Sequence, residues 1–244
     1  MRLTRIHVSG PLAPGSEANL PEAGGNHVAR VLRLKEGAPL IVFDGSGGEY
    51  LAEIVAVGKG HVRVRLGEFT PDTDSSPLRL TLVQGISRGE RMDWTLQKAT
   101  ELGVNRIVPV LAARSVVRLD ERQKQNKQEH WQGVVIAACE QSGRTRIPDI
   151  TPPVALREYL AQPHGERLRL VLSPLAPGSL AGLTGVAQEI ELLIGPEGGL
   201  DDDELAQAGH AGYVPVRLGP RILRTETAAV VALSVLQAMW GDLR

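Results

Sequence analysis

Apolar positions fall into two regimes along the chain. Residues 1–70 carry short runs with strand character: "TRIHV", "PLIVF", "EYLAEIVAV" and "HVRVRL". "DGSGGE" at 44–49 joins two of them and supplies glycine where a tight turn needs positive φ. A helix-like segment, "GNHVARVLRL" at 25–34, interrupts the runs, and a small β-barrel or meander is expected. "TPDTDSSP" at 70–77 has no apolar residue and holds two prolines, which marks a linker. The expected domains are therefore residues 1–72 and 73–244.

The second region alternates strand and helix. Strands are expected at 78–86, 105–112, 167–173, 190–195 and 213–219. Helices are expected at 90–103, 127–143, 200–209 and from Thr225 to Trp240. This alternation predicts an α/β fold with a mainly parallel sheet covered by helices. The last helix is apolar nearly all round: Ala228, Val230, Val231, Leu233, Val235, Leu236 and Met239 do not share one stripe. Such a helix is buried on more than one side. The second cover is either the same chain or another subunit.

Composition narrows the classes. The chain is 42% apolar and 23% charged over 244 residues, as expected for a globular protein of one large or two smaller domains. "MRLTRIHVSG" has no apolar core of a signal peptide, and "AAVVALSVLQAMW" is too short to span a bilayer, so a cytoplasmic location away from membranes is expected. A single cysteine, Cys139, excludes an intrachain disulfide and reads as a small buried hydrophobe. None of the histidines has zinc-type spacing, and no metal is expected. The net charge of −1 means that RNA binding would need a local basic patch. Arg2, Arg5, His7, His27, Arg30, Arg33 and Lys35 form such a concentration near the N-terminus. A solvated basic face is the ordinary reading of it, and phosphate contact the sharper one.

Candidate chemistry sits where strands end, because parallel sheets bind ligands at their carboxyl edge. "IELLIGPEGGL" at 190–200 runs from a buried strand into a bare loop, and "LGPRILRTE" follows the strand at 213–219. Neither contains a G-x-G-x-x-G or a phosphate-loop lysine. The helix after the first loop opens with Asp201, Asp202, Asp203 and Glu204, where Asp201 and Glu204 fit a capping box. Four carboxylates spoil a helix start for phosphate. A ligand here should be neutral or cationic, and S-adenosylmethionine, with a sulfonium, an amine and no phosphate, meets that demand. In the second loop Arg221 and Arg224 supply fixed cations, either for a ligand or for pairing with Glu226, and Thr225 or Thr227 can cap the following helix. "EQSGR" at 140–144 places Gln141, Ser142 and Arg144 at a helix end, where a glycine cap is the plain explanation.

Together, "LIGPEGGL", "LGPRILRTETA", "KATELGVNRIVPV" and "EQSGR" resemble the RsmE family of 16S rRNA uridine-N3 methyltransferases of the SPOUT class. "HVARVLRLKEGAPLIVFDGSGGEY" is similar to that family's PUA-like domain. The resemblance spans almost the whole chain in order. It implies a small PUA-like β-barrel RNA-binding domain at 1–72 and a SPOUT methyltransferase domain with a deep trefoil knot at 73–244. It implies S-adenosylmethionine as cofactor, held by Leu172, Ser173, Gly195, Pro196, Glu197, Gly198, Gly199, Leu218, Gly219, Ile222 and Leu223. A homodimer acting on 16S rRNA in the assembled small ribosomal subunit is also implied. The expected catalytic residues are Arg224, then Arg221, with Glu226 or Glu197 as proton acceptor. Arg2, Arg5, His7, Arg30, Arg33, Gln141 and Arg144 are the expected RNA contacts. A non-catalytic RNA-binding or ribosome-assembly factor is the alternative, and the complete loops count against it.

Overall fold

The computed structural model describes residues 3–58, 61–73, 76–163 and 165–243. Arg2 lies outside them. The chain divides into two compact units, residues 1–75 with 136–147, and residues 76–135 with 148–244. The return of 136–147 to the first unit is not visible in a hydrophobic pattern, because it depends on partners far away in the chain.

The first unit is a five-stranded sheet. Its strands are β1 (Arg5–His7), β2 (Glu17–Asn19), β3 (Pro39–Phe43), β4 (Gly48–Val57) and β5 (Val62–Pro71), in the order β1-β3-β4-β5-β2. β3, β4 and β5 form an antiparallel meander, and β4 shifts register against β5 between Tyr50 and Ala52 and again between Ile54 and Ala56. Alternation along β4 and β5 points one face inward, so Leu40, Val42, Ile54, Val64 and Leu66 share a core with Ile6 and Val28. The expected helix at 25–34 is shorter and earlier: α1 (Glu22–Asn26) runs into a π-helical turn, His27–Val31. Leu32 caps it, and Arg33 follows with a left-handed φ of 53° although it is not glycine.

The second unit is built from β6 (Arg79–Gly85), α2 (Glu90–Glu101), β7 (Arg106–Leu111), α3 (Glu121–Ser142), β8 (Asp149–Ile150), β9 (Val154–Ala155), α4 (Leu156–Leu160), β10 (Leu168–Leu172), β11 (Gly178–Ser179), β12 (Glu189–Ile194), α5 (Asp202–His210), β13 (Val214–Arg217) and α6 (Thr225–Trp240). The last two turns of α3 belong to the first unit. The sheet order is β11-β13-β10-β12-β6-β7-β8, with β9 also on β7, and every pairing is parallel. Parallel strands covered on both faces read as near-continuous apolar runs, as "LLI" of β12 and "LVL" of β10 do. One face buries Val83, Val108, Val171 and Leu193 against Leu156, Tyr159, Ala208 and Tyr213.

Three details explain departures from the expected elements. α3 begins six residues earlier than its apolar pattern because Asp120 and Gln123 cap each other's backbone N–H groups at 2.8 and 2.9 Å. The polar Gln237 of α6 is fully buried, and its amide is satisfied: Nε2 donates to the Leu102 carbonyl at 2.8 Å and Oε1 accepts from Ser76 at 2.9 Å. Glu191 of β12 is also fully buried, and it accepts hydrogen bonds from the Tyr159 and Tyr213 hydroxyls and from Arg167. Cys139 is buried, and burial pushes its thiol up to about 11. No helix among the described residues is long and apolar enough to cross a membrane.

Candidate active site

β13, β10, β12 and β6 lie side by side, so the loops at their carboxyl ends meet at one edge of the sheet. A cavity of about 670 Å³ opens there. It is lined by Leu172 at the end of β10 and Ser173 after it, by Gly195, Pro196, Glu197, Gly198 and Gly199 after β12, and by Leu218, Gly219, Ile222 and Leu223 after β13. Arg221, Arg224 and Glu226 line the same space. Residues expected to hold a cofactor and residues expected to do chemistry thus share one cavity.

The loops interlock through backbone groups. Thr225 Oγ1 donates to the Gly195 carbonyl at 2.7 Å and accepts from Gln84 Nε2 at 3.0 Å. This corrects the expected capping role: Arg224 is the N-cap of α6, with no side-chain cap, and the Thr225 hydroxyl serves the neighbouring loop. Gly85, at the end of β6, admits the 195–196 backbone so closely that a Cβ there would stand 2.3 Å from Pro196 N. Gly199 and Gly219 have φ of 70° and 95°, and a Cβ on either would meet nothing within 4 Å, which leaves bare main chain open beside the cavity. The capping box between Asp201 and Glu204 is present, and Glu204 Oε1 also accepts from Ala113 N at 2.7 Å.

Charge in the cavity is arranged unevenly. Arg114 donates to the carbonyls of Gly198 and Leu200, and Arg217 to that of Ala176. Arg91 reaches Glu197 at 3.3 Å and Glu226 at 4.0 Å. Arg221 and Arg224 make no ion pair among the described residues, so they do not pair with Glu226. They do not share a helical face either, because α6 starts only at Thr225. Both are exposed on the cavity rim. Glu226 Oε2 is buried and has no hydrogen-bond partner. An orphaned carboxylate oxygen, acidic Glu197 and Asp202, apolar Leu172, Ile194, Val216 and Leu223, and open main chain together fit a cationic, phosphate-free ligand with an apolar body. S-adenosylmethionine has that character.

Arg91 and Arg114 are cavity residues that the sequence reading missed. Neither lies in a glycine-rich loop, and Arg91 meets Glu197 across 106 residues of chain. Among the described residues, no group of three or more His, Cys, Asp or Glu side chains is placed to hold a metal ion.

Apart from Arg2, which lies outside the described residues, the expected RNA contacts fall in the first unit. Arg30, Arg33 and Gln141 are exposed, and Arg144 is half-buried. Arg30 borders a smaller cavity with Asn26 and His61. Arg5 is turned inward: its side chain is only 9% exposed, pairs with Glu49 at 2.5 Å and lies 5.5 Å from the centre of the Phe43 ring. That setting speaks for an internal structural role rather than a phosphate contact. The backbone N–H of His7 donates to Glu140 Oε1 at 3.0 Å, and its ring tilts against Phe43.

Comparison with known proteins adds independent weight. Residues 74–237 match the model of an RNA methyltransferase domain, and residues 20–67 that of an RNA methyltransferase PUA domain. The chain is 31% identical over 243 residues to ribosomal RNA small subunit methyltransferase E of Buchnera aphidicola subsp. Acyrthosiphon pisum, covering 100% of this chain and 96% of that one. The Bacillus subtilis protein of the same name is also 31% identical, over 90% of this chain and 89% of its own. Among solved structures, a Neisseria gonorrhoeae ribosomal RNA small subunit methyltransferase E bound to S-adenosylmethionine superposes with a TM-score of 0.90 at 36% identity, covering both chains fully. A Legionella pneumophila protein described as a methyltransferase, with S-adenosylmethionine bound, gives a TM-score of 0.95 at 40% identity, again over both full chains.

Proposed function

The chain belongs to the ribosomal RNA small subunit methyltransferase E family, and from that premise we propose that it is an S-adenosylmethionine-dependent ribosomal RNA methyltransferase that modifies N3 of a uridine in 16S rRNA. The observation that carries this reading is the single cavity in which bare loops 195–199 and 218–223 lie beside Arg221, Arg224 and Glu226. The fold is the SPOUT α/β domain with a PUA-like domain before it, and in this reading the trefoil knot implied by the resemblance lies in the loops that line this cavity. In this reading the RNA-binding domain expected at 1–72 takes in 136–147 as well, and the catalytic domain is the rest of 73–244.

Bound S-adenosylmethionine supplies a methyl group on a sulfonium, whose C–S bonding electrons return to sulfur as the methyl leaves. The chain's task is to hold it, exclude water and prepare the uracil. Main chain at Gly195–Gly199 and Leu218–Leu223, with the apolar side chain of Leu172, forms its cradle. Uracil N3 is a weakly acidic imide, so its proton leaves before or as the nitrogen attacks. Glu226, which lines the cavity and has an unpartnered oxygen, is the first choice to accept that proton, and Glu197 is the second. The negative charge left on the base spreads over O2 and O4. Arg224, or Arg221 beside it, stabilises that charge electrostatically.

The substrate state proposed is the assembled small subunit, which suits a protein of net charge −1 reading a formed surface through a local basic patch. A homodimer is proposed as well. Val230, Val231, Val235 and Met239 of α6 are only partly covered within the chain, which leaves apolar surface for a second copy. The location is cytoplasmic, where small subunits assemble. Calorimetric titration with S-adenosylmethionine, with ATP as control, tests the cofactor. Transfer of labelled methyl to small subunits lacking the modification tests the reaction. Saturable binding of the former ligand and methylation at uridine N3 are expected; binding of ATP alone, or no transfer, overturns the reading.

A further inference from the structure

Arg91 stands at the start of α2, outside both glycine-rich loops, yet it touches the two carboxylates that compete for the role of proton acceptor. The two are held differently. Glu197 Oε1 accepts from Arg88 N at 2.9 Å and from Arg91 Nη1 at 3.3 Å. Glu226 Oε1 stands 4.0 Å from Arg91 Nε, an ion pair without a hydrogen bond, while its Oε2 is buried and unpartnered. One carboxylate is therefore engaged with α2, and the other lines the cavity with one oxygen left unpartnered.

We propose that Arg91 is a positioning residue for methyl transfer, which anchors Glu197 to α2 and orients Glu226 as the proton acceptor. The proposal rests on the methyltransferase reading above. Arg91 itself is half exposed, so its ion pairs add little to stability. Their effect is on placement, and a reacting group displaced by about 1 Å can lose on the order of 100-fold in rate. Arginine suits the task because its planar fork presents Nη1 to one carboxylate and Nε to the other, which a lysine ammonium cannot reproduce.

The test uses the full-length protein with labelled S-adenosylmethionine and unmethylated small subunits under single-turnover conditions. Arg91→Gln is expected to bind the cofactor and unfold in urea much as the wild type does, while its transfer rate falls on the order of 100-fold. Arg91→Lys should recover part of that loss. Because Arg91 acts through Glu226, Arg91→Gln combined with Glu226→Gln should be little slower than Glu226→Gln alone. Losses that multiply, or an Arg91→Gln protein that transfers at the wild-type rate, overturn the proposal. So does a parallel fall in stability, cofactor affinity and rate, which would make Arg91 a strut. A wild-type protein that binds the cofactor and transfers nothing overturns the functional reading itself, and the Arg91 role with it.

Discussion

Thr225 Oγ1 donates a 2.7 Å hydrogen bond to the carbonyl oxygen of Gly195, tying the first residue of α6 to the loop after β12. The same hydroxyl accepts from Gln84 at the end of β6, so three segments distant in sequence meet at one buried oxygen. Thr225→Val keeps the shape and removes both bonds. Leaving the buried Gly195 carbonyl unpartnered should cost about 1–3 kcal/mol of stability. Cofactor affinity should fall too, because Gly195 lines the cavity. Thr225→Ser should restore both. Urea midpoints and calorimetric titration of the three proteins measure this.

Gly85 is predicted to accept no side chain. The atoms a Cβ would meet, Pro196 N at 2.3 Å and Gly195 C at 2.6 Å, are backbone of the cofactor loop and not flexible side-chain ends. Gly85→Ala must therefore push the loop away or fail to fold. The expected loss exceeds the ~1–3 kcal/mol typical of overpacking, and S-adenosylmethionine binding should disappear first as urea is raised. An alanine variant with wild-type stability and affinity would show that the approach of 195–196 to β6 is loose.

These two positions mark what the sequence can and cannot disclose. The strands at 79–85, 106–111, 168–172 and 189–194 were legible because each is a run of apolar residues between turn signals, and α6 because its apolar pattern starts at Thr225. The two loops were legible because bare backbone at a strand end has few other uses. β2, β8, β9 and β11 were not, because two or three residues held by backbone pairing leave no periodicity. Thr225 reads as a helix cap until Gly195 is seen beside it. Arg91 reads as a solvated residue of an amphipathic helix until Glu197 and Glu226 are brought to it. Pairings of that kind depend on the sheet order, which no local pattern carries.

Arg224 is exposed on the cavity rim and makes no ion pair among the described residues, so its loss breaks none. Arg224→Ala should leave urea stability and cofactor affinity near wild type and lower the single-turnover rate on the order of 10²–10³-fold, the usual cost of losing one preorganised charge in the transition state. Arg221→Ala serves as the comparison. A larger loss at Arg221 would exchange the two roles. An equal loss of affinity and rate at Arg224 would make it a cofactor ligand.

The buried Glu191 cluster predicts how the protein responds to alkali. Burial, reinforced by the adjacent Glu191 carboxylate, pushes both the Tyr159 and the Tyr213 hydroxyl well above the ordinary value of 10.0. Both tyrosines therefore keep their protons in the folded state at a pH where the unfolded chain loses them. The stability they contribute is complete below pH 10 and drains away as the pH rises above it. The fall is at most about 1.4 kcal/mol per pH unit for each group. Tyr213→Phe removes one of the two titrations and also the hydroxyl's hydrogen bond to Glu191. At pH 8 the variant should be less stable than wild type by about 1–2 kcal/mol. Between pH 10 and 11 the difference should shrink, because only the wild type still bears the cost of a second neutral buried phenol. Urea midpoints at pH 8, 10 and 11 decide it. A gap that stays constant across that range would mean that the Tyr213 proton is not held by the fold.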